Sequence, residues 1–399
     1  MLGITDEILH GFDENKCTIM IFLDLSAAFD TIDTDTLLQI LHDEIGVDGI
    51  ALEWFRSFLT GRTQRVKIQD EYSQSCEVPF GVPQGSVLGP KIFNVNVRSQ
   101  PRVFVRCTFK SSSFADDSNG RKTFSLLFQY EVLKNEIGNC MNEMILWMND
   151  HYMKINPDKT EILLLYPSSL EKEVKIKGVI IDEKCIRFSN EVKNVGVWLD
   201  TNLTMDKHVN SVVSHCYKLL KDIGRIRKYL TQTHTARLVH SVISSRLDYC
   251  NSLFINLDRS NIYKLQKVQN AGARLVMGKR KHDSARNLLR ELHWLNIDSR
   301  IIFKMLLLVH KIIRGKCSKN IILTYKRFNC RPNDYLILET PHYKTKYGRR
   351  TFGYNAPRWW NVLPLYMRKE EDTDVYKKQL KTILFDGTEE LKHQAFKYD

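Results

Sequence analysis

The pattern of apolar and polar positions in the first half of the chain predicts a β-sheet with helices packed against it. Residues 18–25, TIMIFLDL, form a β-branched apolar run that ends in an acid, as a buried central strand does. Helices are predicted over 31–46 and 48–61, the second ending at Gly61. The apolar face of the second helix is made of Leu52, Phe55, Phe58 and Leu59.

The following segment predicts a hairpin, a shaped loop and another strand. The run RVKIQ, residues 65–69, alternates and predicts the start of a strand or hairpin. The Gly and Pro density of VPFGVPQGSVLGP, residues 78–90, indicates a shaped loop before a helix. Residues 103–110, VFVRCTFK, are strand-like and lead the chain to two adjacent acids, Asp116 and Asp117.

These two acids lie in a polar stretch, SSSFADDSNG, residues 111–120. Taken alone, an Asp-Asp pair among Ser, Asn and Gly is typical of a solvated loop tip, with Asn119-Gly120 as a turn. If strands flank the pair instead, the small polar residues on both sides are expected to weaken strand packing and widen the hairpin.

A helix and a further strand complete the first half. Residues 126–151 carry apolar side chains at helical spacing, and residues 153–167, MKINPDKTEILLLYP, predict a proline turn followed by an apolar strand. The apolar positions of the helix are Leu133, Ile137, Met141, Met144, Trp147 and Met148. Strands and helices in this order predict an α+β sheet backed by helices.

The character changes after Tyr166. Residues 174–200 predict short strands and turns, and residues 206–230 predict a strongly amphipathic helix with a basic outer face. The apolar positions of that helix are Val209, Val212, Val213, Cys216, Leu219, Leu220, Ile223 and Ile226.

From residue 231 onward the pattern is mostly helical. One predicted helix covers 262–277, and another begins at Asp298 or Ser299 and ends at Gly315. There is no internal repeat and no low-complexity linker, so the boundary near residue 200 is not sharply marked.

Composition changes the picture only through charge, which indicates a class of partner. The 399 residues include 59 Lys and Arg against 46 Asp and Glu, a formal net charge of +13. A basic chain favours polyanions, with nucleic acid as the first candidate and an anionic membrane surface as the second.

Cysteine usage and the N-terminal segment point to an intracellular protein. The nine cysteines are odd in number and never lie at C-x-x-C spacing, which argues against a disulfide framework and against a zinc site. Acids interrupt the first residues where a signal peptide needs an apolar run. The most apolar later segment, residues 301–313, is broken by Lys304 and His310 and is too short to span a bilayer.

Three widely separated acids suggest a metal site. Asp24 ends one predicted strand, and Asp116 and Asp117 follow another, so neighbouring strands would bring the carboxylates together. Clustered carboxylates repel unless they hold cations, and Mg²⁺ prefers oxygen ligands. Two such ions, about 3.5 to 4 Å apart, can activate an attacking 3′-oxygen and stabilise a leaving pyrophosphate.

Five blocks of sequence follow one another along the first half. They are FLDLSAAFDTID (22–33), GVPQGSVLGP (81–90), FADD (114–117), KINPDKTEILL (154–164) and VKNVGVWLD (192–200). In this order they resemble the conserved blocks of reverse transcriptases from LINE-type, non-LTR retrotransposons, closest to the jockey-like group. Residues 289–308 and 353–364 also resemble segments downstream of that polymerase, which carries the likeness to about residue 385.

The resemblance implies a right-hand polymerase. Its α+β palm, an antiparallel sheet backed by helices, would be followed by a mostly helical thumb and C-terminal domain. The implied domains are the palm with residual fingers at 1–200, the thumb helix at 201–235 and a basic helical domain at 236–399. The implied activity is RNA-directed DNA synthesis, the extension of a DNA 3′-end on an RNA template from dNTPs. Two Mg²⁺ ions, or Mn²⁺ in their place, would be the cofactors.

The resemblance also assigns the catalytic positions. Asp24 and Asp116 match the two metal-binding acids, Asp117 matches the adjacent supporting acid, and Leu25 would lend its carbonyl to a metal. Lys159 matches a lysine that protonates the pyrophosphate leaving group, and the alternative is a solvated lysine at the end of a helix.

Six residues, Leu25 and five others, match the nucleotide-binding positions of the family. Ser26 and Ala27 are small enough to let the triphosphate approach, and the ring of Phe29 would lie under the sugar and exclude a 2′-hydroxyl. The alternative for Phe29 is a core phenylalanine. Gln84 and Gly85 match the loop beside the incoming nucleotide and template, where glycine allows close backbone approach and glutamine can hydrogen-bond.

Primer and duplex contacts are implied further along the chain. Val195 and Gly196 lie in the block that matches the hairpin holding the primer end. The basic face of the next helix would contact duplex phosphates, and the alternative is ordinary solvated charge. Its residues are Lys218, Lys221 and Arg225.

The chain departs from the family at its start. Only 23 residues precede Asp24, where the family has a longer fingers region, and an endonuclease lies further upstream in full elements. The expectation is an open reading frame from a 5′-truncated copy, with the nucleus as the place of action. A different interpretation is an inactive or domesticated remnant that binds nucleic acid without polymerising.

Overall fold

The structure is a computed structural model. It describes residues 1–26, 28–125, 130–156, 158–174, 178–181, 184–317, 323–325 and 336–386. The chain forms two compact units, the sheet unit (Cys17–Val195) and the helical unit (Met1–Lys16 with Gly196–Asp399). Residues 1–16 therefore belong with the C-terminal helices, and the predicted bounds of palm, thumb and C-terminal domain stay predictions.

Helices and strands alternate in the sheet unit, and helices dominate the helical unit. In chain order the helices are α1 (Leu2–Asp13), α2 (Thr34–Ile40), α3 (Gly49–Leu59), α4 (Gly89–Asn96), α5 (Gln100–Arg106), α6 (Tyr130–Asp150), α7 (Asp206–Ile226), α8 (Gln232–Val239), α9 (Ser245–Asp248), α10 (Arg259–Met277), α11 (Ala285–Glu291), α12 (Ile297–Ile313), α13 (Phe352–Val362), α14 (Leu365–Lys369) and α15 (Thr373–Asp386). The strands are β1 (Cys17–Leu23), β2 (Leu25–Ser26), β3 (Thr63–Gln64), β4 (Lys67–Ile68), β5 (Glu71–Tyr72), β6 (Cys76–Glu77), β7 (Lys110–Phe114), β8 (Asp117–Phe124), β9 (Lys154–Ile155), β10 (Glu161–Leu165), β11 (Gly178–Ile181), β12 (Lys184–Arg187), β13 (Glu191–Asn194) and β14 (Val197–Asp200).

One antiparallel sheet, in the order β10-β1-β8-β7, is the centre of the sheet unit. Every residue of β1 is buried, which confirms the predicted central strand. Because successive strand residues point to opposite faces, one face of β1 presents only every second side chain to the core that α4, α5 and α6 complete. The core residues of β1 are Cys17, Ile19, Ile21 and Leu23.

Helix α6 packs against this core as its apolar spacing predicts. The predicted apolar positions are all buried: Leu133, Ile137, Met141, Met144, Trp147 and Met148. Residues 126–129 of the predicted helix lie outside the described residues. The turn and strand predicted after it are confirmed by β9 and β10.

Helices α2 and α3 confirm the two helices predicted after the first strand. The carboxylate of Asp33 caps α2 by accepting a hydrogen bond from the Thr36 amide at 2.8 Å. Of the predicted apolar face of α3, Leu59 is buried and the other residues are half-buried. A hairpin follows, with β3 paired to β6 and β4 paired to β5, as the alternation of RVKIQ predicts.

Residues 103–110 are not the predicted strand. Helix α5 covers Gln100–Arg106, and the strand begins only at Lys110. Pro101 sits in the first turn of α5, where its missing amide proton is not needed. Val103 and Phe104 are buried while Val105 is 63% exposed, so the side chains follow a helical rather than an alternating pattern. Burial of two adjacent residues outweighs the β-preference of the valines.

In the helical unit, α7 and α10 pack on each other and confirm the two predicted helices. Val209, Cys216, Leu220 and Ile223 of α7 are buried as predicted, whereas Ile226 is 46% exposed. The two helices approach closely at Gly272 of α10. A Cβ added to Gly272 would lie 3.8 Å from a side-chain atom of Leu220 in α7.

Helix α12 begins earlier than predicted. The residue before it, Asn296, accepts a hydrogen bond from the Ser299 amide at 2.9 Å, so Asn296 is the cap rather than Asp298 or Ser299. An Asn side chain can bond an amide two or three residues further on, which makes it a strong helix start. The chain leaves the helix before Gly315, whose positive φ of 65° suits glycine.

Helix α1 is held in the helical unit by two carboxylates. Asp6 accepts hydrogen bonds from the Phe352 and Gly353 amides at the start of α13. Asp13 accepts from the Thr345 amide at 2.7 Å and from the Lys344 amide at 3.1 Å. Within the described residues, no helix is both long enough and apolar enough to cross a membrane.

Candidate active site

Asp24 lies at the end of the central strand, in the one-residue step between β1 and β2. The two residues after it pair with β9, as Leu25↔Ile155 and Ser26↔Lys154. The carbonyl of Asp24 accepts a hydrogen bond from the Asn156 amide at 2.9 Å. The backbone around Asp24 is therefore held on both sides by neighbouring chain segments.

Asp116 and Asp117 lie at the tip of a tight β-hairpin. Strands β7 and β8 pair without interruption up to Phe114↔Asp117, which leaves Ala115 and Asp116 as the turn. Ala115 has a positive φ of 54°, as such short turns require. The acids therefore lie at a turn, as in a loop tip, but strands flank them on both sides.

The polar residues around the acids do not widen the hairpin, contrary to the expectation from sequence. Ser113↔Ser118 remains a regular pair, and Asn119-Gly120 lies inside β8 instead of forming a turn. Gly120 makes room for a ring, because a Cβ added there would lie 2.2 Å from an atom of Phe104. A buried hydrogen bond from the Ser118 hydroxyl to Gln100 replaces the apolar packing that the serine lacks.

Strand pairing brings the three acids together. Leu23 pairs with Ser118, so the residues next to them, Asp24 and Asp117, are neighbours at the same end of the sheet. Burial raises the pKa of Asp117 above its usual value, and the negative charges of Asp116 and Asp24 raise it further. The chain segments that carry the three acids therefore lie side by side at this end of the sheet.

Lys159 also reaches this cluster. Its Nζ lies 3.6 Å from Oδ2 of Asp24. The turn that carries it is closed by the Thr160 amide and hydroxyl, which both donate to the Asn156 carbonyl. Oδ2 of Asp24 is shielded from solvent and accepts no hydrogen bond from the described residues. Its contact with Lys159 is an ion pair.

The donor set suits a hard cation, although it is not a finished cage. A solvent-shielded carboxylate oxygen without a hydrogen bond, beside two further carboxylates, is chemistry that fits Mg²⁺ better than a soft metal. Across the described part of the chain, however, no three His, Cys, Asp or Glu side chains are arranged as a ready metal-binding group. Binding a cation would therefore require the carboxylates to turn towards it.

Phe29 follows Asp24 in the same sequence block, and its ring is half-buried against the core. Its ring stacks on Phe93 with centroids 4.8 Å apart and planes 24° from parallel. This contact gives Phe29 a packing partner, which is compatible with both the sugar-facing and the core interpretation. Ala27 lies outside the described residues.

The glycine-rich loop is fastened directly to the segment after Asp24. The amides of Gly81 and Val82 donate to the carbonyls of Ile32 and Phe29, at 2.8 and 2.9 Å. Gly81 has a positive φ of 79°, and an added Cβ would lie 2.7 Å from the Phe29 oxygen, so only glycine fits. Sequence reasoning passed over Gly81, although its place in GVPQG is the signal that could have identified it.

The two loop residues that were predicted to contact nucleotide lie at its exposed end. The Gln84 amide group donates to the Asp30 carboxylate at 2.8 Å, a partner that sequence reasoning also missed. Gly85 has a positive φ of 79° and open space around its Cα. The loop thus presents a positioned glutamine and an accessible backbone.

The residues predicted to contact primer and duplex come later in the chain than the acids and the glycine-rich loop. Val195 and Gly196 form the turn between β13 and β14, both with positive φ, and the division between the two units falls between them. Gly196 faces the Tyr249 ring, with 3.5 Å from an ideal Cβ to the nearest ring atom. The basic residues of α7 are exposed: Lys218, Lys221 and Arg225. The guanidinium of Arg225 pairs with Asp222 at 3.0 Å.

Comparison with known proteins gives one family match. Residues 3–199 match the family described as reverse transcriptase (RNA-dependent DNA polymerase). Three relatives from Drosophila melanogaster are RNA-directed DNA polymerases, two of them named as probable. That from transposon BS is 25% identical over 68% of this chain, that from the X-element 26% over 69%, and that from the mobile element jockey 22% over 71%. The chain spans only 30 or 31% of the length of these relatives.

A solved structure of telomerase from Candida albicans, in complex with a fragment of telomeric RNA, aligns with 75% of this chain and 50% of its own. The TM-score is 0.34 and the identity 14%, a likeness too weak to support an argument. The expected fold class, an α+β polymerase palm followed by helices, is confirmed by the family match and the observed elements. The roles of individual site residues stay predictions.

Proposed function

We propose that this chain is an RNA-directed DNA polymerase. The premise is that it belongs to the reverse transcriptase family, which its residues 3–199 match, and that it is similar to the polymerases of LINE-type transposons. It would extend a DNA 3′-end on an RNA template, using dNTPs. The chain covers less than a third of the length of its relatives, so the activity of the whole relatives is proposed for this chain on the basis of the segment that it shares with them.

One observation carries the proposal: three acids from two separate blocks meet at one end of the central sheet. Asp24 ends β1, Asp116 forms the hairpin turn, and Asp117 begins β8. Burial raises the pKa of Asp117, and the charges of Asp116 and Asp24 raise it further, a repulsion that a bound cation would relieve.

The family generally works with a divalent cation, and here Asp24, Asp116 and Asp117, with the Leu25 carbonyl, would hold Mg²⁺. When bound, the metal would activate the attacking 3′-oxygen and stabilise the leaving pyrophosphate. Lys159, beside Asp24, would supply a proton to that leaving group.

The surrounding residues would bind the nucleotide and the nucleic acid. Ser26 and Ala27 would leave room for the triphosphate, and Phe29 would exclude a ribose 2′-hydroxyl. Gln84 and Gly85 would contact the incoming nucleotide or the template. The hairpin turn at Val195-Gly196 would hold the primer end, and the exposed basic face of α7 would contact duplex phosphates through Lys218, Lys221 and Arg225. Reaction at chromosomal DNA would make the nucleus the place of action.

The test is primer extension on an RNA template with purified protein and Asp116→Asn. We expect incorporation by the wild type and a loss of about 10³-fold or more in the variant, because the change removes a metal-binding charge. Asp70→Asn, at the exposed turn between β4 and β5, is the matched control and should retain activity. Equal incorporation by the wild type and Asp116→Asn would contradict the site.

The same experiment separates the second interpretation. A remnant that binds nucleic acid without polymerising would show RNA or DNA binding that weakens steeply with salt, together with no dNTP incorporation by any variant. No observation in the structure favours that outcome over polymerisation.

A further inference from the structure

A buried hydrogen bond between Ser118 and Gln100 attaches the acid-bearing hairpin to the core. The Ser118 hydroxyl donates to Oε1 of Gln100 at 2.7 Å, and both residues are almost completely buried, at 4% and 1% exposed. The hydroxyl oxygens of Ser113 and Ser118 lie 3.1 Å apart. The Ser118 hydroxyl is the donor in both contacts, and because it has one proton, it donates to Oε1 of Gln100 or to the Ser113 oxygen at any one time.

Ser118 occupies a position next to two of the acids. It follows Asp117 in β8, and it pairs across the sheet with Leu23, the residue before Asp24. Gln100 is the first residue of α5, the helix behind this part of the sheet. The hydrogen bond therefore ties the strand junction that carries both acids to a helix of the core.

An apolar contact reinforces the same attachment. Gly120 lies two residues after Ser118, on the same face of β8, and receives the Phe104 ring of α5. The polar contact between Ser118 and Gln100 and the apolar contact between Gly120 and Phe104 hold one strand to one helix. Asp117 is on the opposite face of the strand by alternation.

A buried hydrogen bond can set a position more narrowly than apolar contact can. It depends steeply on distance and angle, and it is stronger where water is excluded. Apolar side chains at the same places would fill the space but would tolerate small shifts of the strand. Three mutually repelling carboxylates need such a restraint, because repulsion tends to move them apart.

We propose that Gln100 and Ser118 are positioning residues of the polymerase, which hold the Asp116-Asp117 hairpin in register with Asp24. The proposal rests on the proposed function for its effect on rate. Its structural part, the restraint of the hairpin, holds independently of activity. Gln100 lies in none of the five sequence blocks that carry the resemblance to reverse transcriptases.

Four variants separate positioning from stability. Ser118→Ala leaves Oε1 of the buried Gln100 without its hydrogen bond, and Gln100→Leu leaves the Ser118 hydroxyl with Ser113 as its partner; we expect a lower melting temperature in both, more so in Ser118→Ala. The double variant removes both polar groups and should recover most of that stability, because no buried group is left unsatisfied. Ser111→Ala is the control in the same hairpin, since no side-chain hydrogen bond of Ser111 is among those described.

The measurements are kcat and KM for dNTP, the melting temperature, and hydrogen exchange of the peptide covering residues 110–124. We expect kcat to fall roughly 10- to 100-fold in the double variant, with KM within about twofold, since small misplacements of catalytic groups lower rate more than binding. Exchange of the hairpin should be faster in the double variant even where its melting temperature matches the wild type. Ser111→Ala should resemble the wild type in all three.

Two outcomes overturn the proposal: recovery of kcat together with stability in the double variant, or hairpin exchange equal to that of the wild type. A wild type that does not polymerise would refute the proposed function instead. In that case the exchange data still decide whether Gln100 and Ser118 restrain the hairpin.

Discussion

The acids at one end of the central sheet and the acids Asp13 and Asp248 of the helical unit lie in opposite surroundings. In the helical unit, carboxylates are bound: Asp248 pairs with the guanidinium of Arg300, and Asp13 accepts hydrogen bonds from Thr345. In the sheet unit, a buried oxygen of Asp24 has no hydrogen bond, and burial and neighbouring acids raise the pKa of Asp117.

The difference separates acids that stabilise structure from acids that the fold tolerates. A carboxylate bound to an amide or a guanidinium contributes to local stability. A carboxylate among other carboxylates is destabilising until a cation arrives. Residues that break a local rule of stability without compensation are expected at functional sites, and the sheet unit has them at one end of β1 and β8.

The largest effect should come from Asp24→Asn. We expect primer extension to fall by about 10³-fold or more, equivalent to roughly 4 kcal/mol of activation free energy, with an unchanged or slightly raised melting temperature. Removing one of three repelling charges does not weaken the fold. A marked loss of thermal stability would break the comparison, because Asp24 would then be a structural acid.

A smaller effect, on stability alone, should follow from Arg300→Met in the helical unit. The side chains of Arg300 and Asp248 are only 15% and 23% exposed, so the change leaves a mostly buried carboxylate unpaired. We expect a loss of about 3 kcal/mol in the free energy of unfolding, measured by denaturant titration. Arg259→Met is the matched control, since its pair with Asp298 is more exposed and should contribute less than about 1 kcal/mol.

The pH dependence of stability should distinguish two acids of α1. Burial raises the pKa of Asp6 to about 6, against the hydrogen bonds from Gly353 and Phe352 and the charge of His10, which lower it. The folded state then holds the proton more tightly than the unfolded state, so the contribution of Asp6 to stability is present below about pH 4 and is lost as the pH rises through about 6. Relative to Asp6→Asn, the wild type should lose about 2 kcal/mol between those values.

Asp13 provides the control of opposite sign. Although burial raises its pKa, hydrogen bonds from Thr345 and Lys344 lower it below the usual value. Its contribution to stability is therefore present above its usual pKa and is lost as the pH falls. Unfolding of Asp6→Asn and Asp13→Asn at a series of pH values should show opposite slopes relative to the wild type, and parallel slopes would refute the assignment.

The smallest effect should come from a helix cap. Asn296→Ala removes the side chain that accepts from the Ser299 amide, and we expect a loss of about 1 kcal/mol in stability. Asp298→Ala, at the position that sequence alone favours, should have a smaller effect. A larger effect at Asp298 would restore the predicted helix start.

Much of the fold and most of the site could be predicted because the signals are local or chemical. The apolar run of β1 and the helical spacing of α6 and α10 specify those elements through burial alone. The order of the blocks placed Asp24, Asp116 and Asp117 at one site, and strand pairing in the structure brings them together. Lys159 follows from the same order.

The errors occurred where distant residues decide the conformation. The valines of α5 favour a strand locally, but Pro101 and the burial of Phe104 produce a helix. Asn119-Gly120 has the composition of a turn, yet Gly120 lies in a strand because the Phe104 ring needs its missing side chain. The packing of α5 on the core and the placement of the Phe104 ring against Gly120 both depend on other elements, which a local pattern does not show.

The sequence by itself determined which residues are the candidates for the chemistry, since residue type and block order are sufficient to single out three carboxylates. Only the tertiary structure decided what holds that cluster in place, namely Gln100 beneath Ser118 and Phe104 beneath Gly120. It also decided that α1 belongs with the helices at the other end of the chain. The physical reason is that hydrogen bonds and close packing depend on which distant segments meet, and a linear pattern does not record that.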